Sequence, residues 1–262
     1  MKIISFNIGI RIDNAKTIAE YLKSQNADIV CLQEAVRPLD KNVFHTYRSE
    51  EFIREYFEKE YPHYFFAPEW VADCFLKEGK VDRNLGGMAE QGKLILSKFP
   101  IIHGDNYFYY KVYEFERDRT HFWEGDDHGR SLQVCEIDVN GKTIQLGNVH
   151  GSYSKNKMDN ERSLAQSDFI VKKLKEKKLP TILLGDFNAL PETESISKIN
   201  KVYKNLNQEF NISATRLKGQ NIDYVFINDS FKANSLIVDI VNISDHYPLI
   251  ADLELIPAVQ PL

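Results

Sequence analysis

The sequence has no long apolar run: nothing in its 262 residues approaches the ~18 consecutive apolar residues that mark a membrane-spanning helix. Cysteine is scarce. Cys31, Cys74 and Cys135 lie far apart among apolar or aromatic neighbours, with no Cys-x-x-Cys pair and no Cys/His zinc spacing. They read as reduced, buried thiols in a reducing compartment. The opening run Met1–Asn7 carries no basic leader and no small-residue cleavage site, so the expectation is a cytoplasmic protein without a transmembrane segment. No linker rich in proline, glycine or serine divides the chain and no repeat is visible, which predicts one domain over residues 1–262. Neither the His-Glu-x-x-His pattern of zinc peptidases nor the Gly-x-Ser-x-Gly elbow of serine hydrolases is present. Positive charge is not in excess either. The net charge of −5 gives no global attraction to nucleic acid, although a local basic rim is compatible with it.

What is present reads as an ordinary globular chain, 43% hydrophobic and 27% charged, long enough to bury a sizeable core. Strand-like runs recur from end to end: Lys2–Asn7, Ile29–Gln33, Lys93–Ser97, Leu132–Val139, Thr143–Val149, Thr181–Leu184, Tyr224–Ile227, Leu236–Val241 and Leu249–Leu255. Leu132–Val139 alternates apolar with polar residues, as a strand buried on one face does, whereas Thr181–Leu184 suits a sheet covered on both sides. Helices are expected from Asp13 or Asn14, as cap, through Ser24, and over Met158–Lys178 and Ser49–Glu60. Asn140-Gly141 marks a hairpin turn. Many strands with both hairpin and helical links predict an α/β fold, two sheets packed face to face with helices outside.

Polar groups able to bind metal or phosphate sit at the ends of these runs: Asn7, Glu34, Asn148 and His150, Asp186 and Asn188, then Asp245 and His246. Each is unremarkable alone, since Asx turns and polar strand caps are common. Together they are hard to explain as packing, because a core has no use for so many carboxylates, amides and imidazoles at strand ends. Hard Mg²⁺ takes oxygen ligands, with Mn²⁺ as a substitute; Glu34 is the natural first ligand, completed or supported by Asn7 or Asp245. Asp186 can orient or deprotonate a water, while Asn188 and Asn148 can donate amide hydrogens to phosphate. His150 and His246 can stabilise the pentacovalent charge, or one can protonate the leaving group. Asp223 suits the role of carboxylate behind the ring of His246. Non-catalytic binding would need parts of this set to be missing, and none is.

Seven segments carry a resemblance to a known family: Ser5–Asn7, Leu32–Glu34, Gly92–Ile101, Gly147–His150, Gly185–Asn188, Ile222–Phe226 and Ser244–Leu249. In this set the chain resembles the endonuclease/exonuclease/phosphatase superfamily. The resemblance implies a four-layered α/β sandwich, with two mixed, mostly antiparallel sheets, and divalent-metal hydrolysis of phosphate esters. The pattern Asn148-Val149-His150 looks more like the deoxyribonuclease, sphingomyelinase and inositol-phosphatase branch than the apurinic-site endonuclease branch. The expected partner is a phosphate ester, whether small molecule, lipid headgroup or nucleic acid, and no obligate protein partner is implied.

Substrate choice is expected in two variable segments, residues 35–91 and 102–129. The second holds Tyr107–Tyr110, the charged run Glu114–Arg119 and His121-Phe122-Trp123, and reads as an aromatic hairpin packed on the sandwich. Arg37 and Arg130 are the candidate phosphate clamps; Lys155, Asn156 and Lys157 could also reach phosphate.

Overall fold

A computed structural model describes residues 1–10, 12–13, 15–77, 80–114 and 128–256, with side chains of 74–83 set aside. Strand β1 (Lys2–Asn7) leads through α1 (Ala15–Gln25) to β2 (Ile29–Pro38), α2 (Ser49–Tyr56), β3 (His63–Lys77), β4 (Lys80–Ser97) and β5 (Ile101–Tyr110). Then come β6 (Arg130–Val139), β7 (Lys142–His150), α3 (Glu161–Leu174), β8 (Thr181–Asp186) and α4 (Glu194–Asn200). The chain closes with β9 (Lys204–Asn205), α5 (Leu206–Glu209), β10 (Asp223–Ile227), β11 (Phe231–Val238) and β12 (Leu249–Leu255).

Two six-stranded sheets result, ordered β11-β12-β1-β2-β4-β3 and β5-β6-β7-β8-β10-β9. Each contains one parallel pair, β1 with β2 and β7 with β8. Parallel neighbours need a crossover rather than a tight turn, and α1 and α3 supply it. The predicted α/β sandwich of two mixed sheets is therefore the fold.

The layers follow from alternation. Ile3, Ile29 and Cys31 of one sheet meet Cys135, Leu146, Ile182, Leu184 and Val225 of the other in the central core. Ile4, Val30 and Leu32 face the opposite way, onto Ile18 and Leu22 of α1 and Ile53 of α2. Leu183 and Phe226 likewise pack outward with Ile170 and Leu174 of α3 and Ile196 of α4. Both faces of β8 are thus buried, as its apolar run suggested.

Several boundaries differ from expectation, each for a local reason. Helix α3 starts at Glu161 rather than Met158, because Asn160 accepts from Ser163 N while Ser163 Oγ accepts from Asn160 N, a reciprocal cap. β11 runs Phe231–Val238, since a bulge between Ala233 and Ser235 breaks the alternation that placed it later. Strand β3 was not expected, because Pro68 and a bulge between Pro68 and Trp70 mask it; β5 falls at the start of the segment read as an aromatic hairpin and pairs with β6. The Asn140-Gly141 hairpin is present, with φ of +54° and +84°. Asn14, proposed as a cap, and Phe115–Asp127, which hold most of the charged run and His121-Phe122-Trp123, lie outside the described residues, as does the Cys74 side chain. No helix among the described residues is long and apolar enough to cross a membrane.

Candidate active site

The two parallel pairs end at the same edge of the sandwich, which brings Asn7, Glu34, His150 and Asp186 together. Asn7 Nδ2 donates to Glu34 Oε1 at 3.2 Å and to Asp186 Oδ2 at 3.1 Å, linking the sheets. Glu34 adopts φ +60° at a bulge where the β2–β4 register shifts between Leu32 and Ala35. Without that extra residue the alternation would give Glu34 the face opposite Gln33 and no more. Burial raises its pKa, and the Asn7 hydrogen bond and His246 work against that rise. On the other sheet, Gly185 has φ +132°, and a Cβ there would meet Val149 O at 2.1 Å. Only glycine lets β8 lie this close to β7, with His150 in register with Asp186. Asn188 N donates to Asp186 Oδ1 at 2.8 Å, fixing the second carboxylate oxygen.

The two histidines are held in opposite states. Arg130 Nη1 lies 2.9 Å from His150 Nδ1. An arginine only donates, so Nδ1 accepts and the ring proton sits on Nε2, which faces Glu34 Oε1 at 3.5 Å and Asp186 Oδ2 at 4.0 Å. Burial first, then the charges of Arg130 and Lys93, hold the His150 pKa well below its ordinary value. His150 is therefore a neutral N–H donor. For His246 burial also disfavours the charge, but Asp223 and Asp186 overcome it and lift the pKa to about 10. Its Nδ1 lies 2.9 Å from Asp223 Oδ2, and its Nε2 3.7 Å from Asp186 Oδ2. Thr215 Oγ1 donates to Asp223 Oδ2 at 2.6 Å, so the carboxylate behind the imidazolium cannot rotate away.

Glu34, Arg130, His150, Asp186, Asn188 and His246 line one cavity of about 380 Å³, whose wall also includes Trp70, His128 and Tyr153. Its carboxylates, Glu34, Asp186 and Asp245, with the Asn7 amide beside them, make an all-oxygen donor set, the kind hard divalent cations take. Asp186, Asp223 and His246 also offer ligand atoms within 4.8 Å of one another. That cluster is already satisfied as an imidazolium–carboxylate pair, so the Glu34 side fits a cation better.

The Endonuclease/Exonuclease/phosphatase family model matches residues 4–246, almost the whole chain. The chain belongs to this family. Its members hydrolyse phosphate esters and are generally dependent on divalent metals. Comparison with curated protein sequences finds no match. Among solved structures, an endonuclease/exonuclease/phosphatase from Beutenbergia cavernae superposes with a TM-score of 0.77 at 17% identity, over 98% of this chain and 72% of that one. The human Nocturnin catalytic domain with bound sulfate gives 0.68 at 18%, over 97% and 93%. A mannosyl-6-phosphatase from Bacteroides thetaiotaomicron gives 0.66 at 16%, over 97% and 100%. At these identities the likeness carries the fold.

Within this family member, the structure brings Asn7, Glu34, Arg130, His150, Asp186, Asn188, Asp223, Asp245 and His246 to one place, and leaves two expected residues out. Asn148 is fully buried between the sheets. Its amide donates to Leu32 O and Gln133 Oε1 and accepts from Gln33 Nε2, so it has nothing to offer phosphate. Arg37 is paired with Glu90 at 2.6 Å and lies over the Phe66 ring, away from the cavity. Asp245 is half-exposed and paired with Arg216. The sequence reading missed Glu69, Lys93 and Arg216. Glu69 and Lys93 are both fully buried and paired at 2.6 Å, and Glu69 Oε2 stands 3.7 Å from Arg130. Lys93 falls inside the Gly92–Ile101 match and opens the run Lys93–Ser97, with nothing local to mark it as part of the site; Glu69 gave no signal, lying in a strand that alternation did not reveal.

Proposed function

We propose that this chain is a Mg²⁺-dependent hydrolase of phosphate esters, working as one catalytic domain, in which a water held by Asp186 attacks phosphorus in line with the leaving oxygen. The carrying observation is Asp186 itself: one oxygen is fixed by Asn188 N, the other by Asn7, with His246 and His150 beside it. A carboxylate so fixed can accept the proton of the attacking water without reorienting. Charge then builds on the phosphoryl oxygens, and the Nε2–H groups of His246, cationic, and His150, neutral, face where it builds. Holding one imidazole charged and its neighbour neutral in one site divides the labour between them. Glu34, with Asn7 and Asp245, would hold the divalent cation, which screens the ester oxygens and stabilises the departing oxygen.

The cavity of about 380 Å³ accommodates a small ester. The Asn148-Val149-His150 pattern favours the deoxyribonuclease, sphingomyelinase and inositol-phosphatase branch. The free, buried thiols of Cys31 and Cys135 suit a reducing cytoplasm. The test is hydrolysis of bis(p-nitrophenyl) phosphate and p-nitrophenyl phosphate in Mg²⁺ or Mn²⁺. Asp186→Ala and His246→Ala are expected to abolish turnover while circular dichroism stays native. Wild-type-like rates in both variants would defeat the mechanism.

A further inference from the structure

Two buried cations in the cavity wall are unused by the chemistry above. Lys157 is 4% and Arg216 9% exposed, and both line the cavity together with Glu34 and Asp186. We propose that Lys157 and Arg216 complete a phosphate cradle that selects dianionic phosphate monoesters over diesters, an inference that rests on the phosphate-ester reading and narrows it.

Lys157 is built into position. Its Nζ donates to Asn188 Oδ1 at 2.5 Å and lies 4.0 Å from the centre of the Tyr153 ring, which leaves ammonium hydrogens for a ligand. Its backbone is held at φ +60°, and its carbonyl accepts from Leu190 N at 2.9 Å. The loop after His150 is thereby tied to the segment carrying Asp186 and Asn188. Glu34, Asn188 and Lys157 are three of the seven non-glycine residues at positive φ among the described residues, and all three line the cavity. Arg216 is bridged to His246 through the backbone and bonded to Asp245. Its Nε is buried in the wall with no partner. An unpaired buried donor is a cost, and the guanidinium that carries it belongs to the cavity wall.

Charge and shape point the same way. Among the described residues, the carboxylates facing the cavity, Glu34, Asp186 and Asp245, are equalled in number by the cations Arg130, Lys157 and Arg216, while His246 is matched by Asp223 and the buried Lys93 by Glu69. A divalent cation then leaves two uncompensated positive charges. A monoester dianion neutralises both, and a diester only one. A monoester also has three terminal oxygens where a diester has two, so it can occupy the extra donors of Lys157 and Arg216. A diester would place an uncharged ester oxygen and a second organic arm against them. The cavity of about 380 Å³ leaves room beside the phosphate for a compact organic group.

The experiment compares the full chain with Lys157→Met and Arg216→Met, measuring kcat/KM for p-nitrophenyl phosphate and bis(p-nitrophenyl) phosphate, and inorganic phosphate binding by calorimetry with and without Mg²⁺. The monoester-to-diester ratio is expected to fall at least about tenfold in each variant, with phosphate Kd rising by a similar factor. Lys157→Arg, which keeps the charge, is expected to retain most of the ratio, and it decides the matter if the methionine variants do not fold. An unmoved ratio with unmoved phosphate affinity would overturn the cradle while leaving the esterase reading intact. Failure of the wild type to hydrolyse either ester, with either metal, would overturn the esterase reading and this inference with it.

Discussion

Lys93→Met is the most informative single perturbation of the scaffold beneath the site. Lys93 Nζ donates to Glu69 Oε1 at 2.6 Å and to Ser131 Oγ at 2.9 Å, and both Lys93 and Glu69 are 0% exposed. Breaking a buried ion pair by removing one partner typically costs about 3–5 kcal/mol, because the remaining charge has no water to solvate it. Here Glu69 Oε1 would keep Ser131 N at 3.1 Å, and Arg130 would remain 3.7 Å from Oε2. Those survivors put the loss near the low end, about 3 kcal/mol, or roughly 6–12 °C in Tm for a chain of this size. Arg130 would then be the only cation beside Glu69 among the described residues, and its pull toward that carboxylate draws it from His150 Nδ1. A second expected effect is therefore a fall in kcat larger than any change in KM. Urea unfolding followed by circular dichroism gives the first number and steady-state kinetics the second. Adding Glu69→Gln, which removes the other charge, is expected to recover stability to within about 1 kcal/mol of wild type. A single variant no less stable than wild type, or a double variant no better than the single, would refute the claim that the pair is a buried ionic brace.

Asp223→Asn removes the leading charge that lifts His246 to about 10 from its ordinary 6.5. The imidazolium, and the stability it brings, is present below 6.5 and lost as pH rises through about 10; in the variant the loss moves down toward 6.5. At pH 8 the charged fraction then falls roughly 30-fold, so kcat/KM should drop on the alkaline side and recover toward pH 6; an unchanged profile from pH 6 to 10 counts against the assignment. Gly185→Ala forces a Cβ onto Val149 O and should cost more than about 3 kcal/mol and most activity; a native-like melting curve would show that β7 and β8 can separate freely. Glu34→Gln is expected to raise the Mg²⁺ concentration for half-activity about tenfold or more without moving Tm in metal-free buffer; an unmoved metal titration would place the cation elsewhere. Thr193→Ala removes the side chain that caps α4 by accepting from Ile196 N, at a cost of about 1 kcal/mol; urea unfolding with no loss of stability would show the cap to be idle.

How much of this was legible beforehand depends on the range of the physics. β1 and β12 follow the strand-like runs residue for residue, because alternation and apolar runs are local signals. The order of polar groups at strand ends marked Asp186, His150 and His246 for the same reason. What stayed hidden is set by contacts far apart in sequence. Asn148 looked like a donor for phosphate, yet Gln33 and Gln133, from other strands, take up its amide. Arg37 sits two residues past the bulge that turns Glu34 inward, and Glu90 holds it outside. Arg216 gave no signal at all, since only the fold sets Thr215-Arg216 against His246.

Strand β1 lies between β2 and β12, and Ser244 Oγ donates to the carbonyl of Asn7 at 2.8 Å. Asn7 is thus locked by a hydroxyl that leaves the ribosome some 237 residues later. During synthesis the earlier sheet partners can assemble, but the catalytic edge cannot close until the final strand slots in beside the first. The polar cluster at this edge is accordingly a product of tertiary closure, complete only when the two ends of the domain have met.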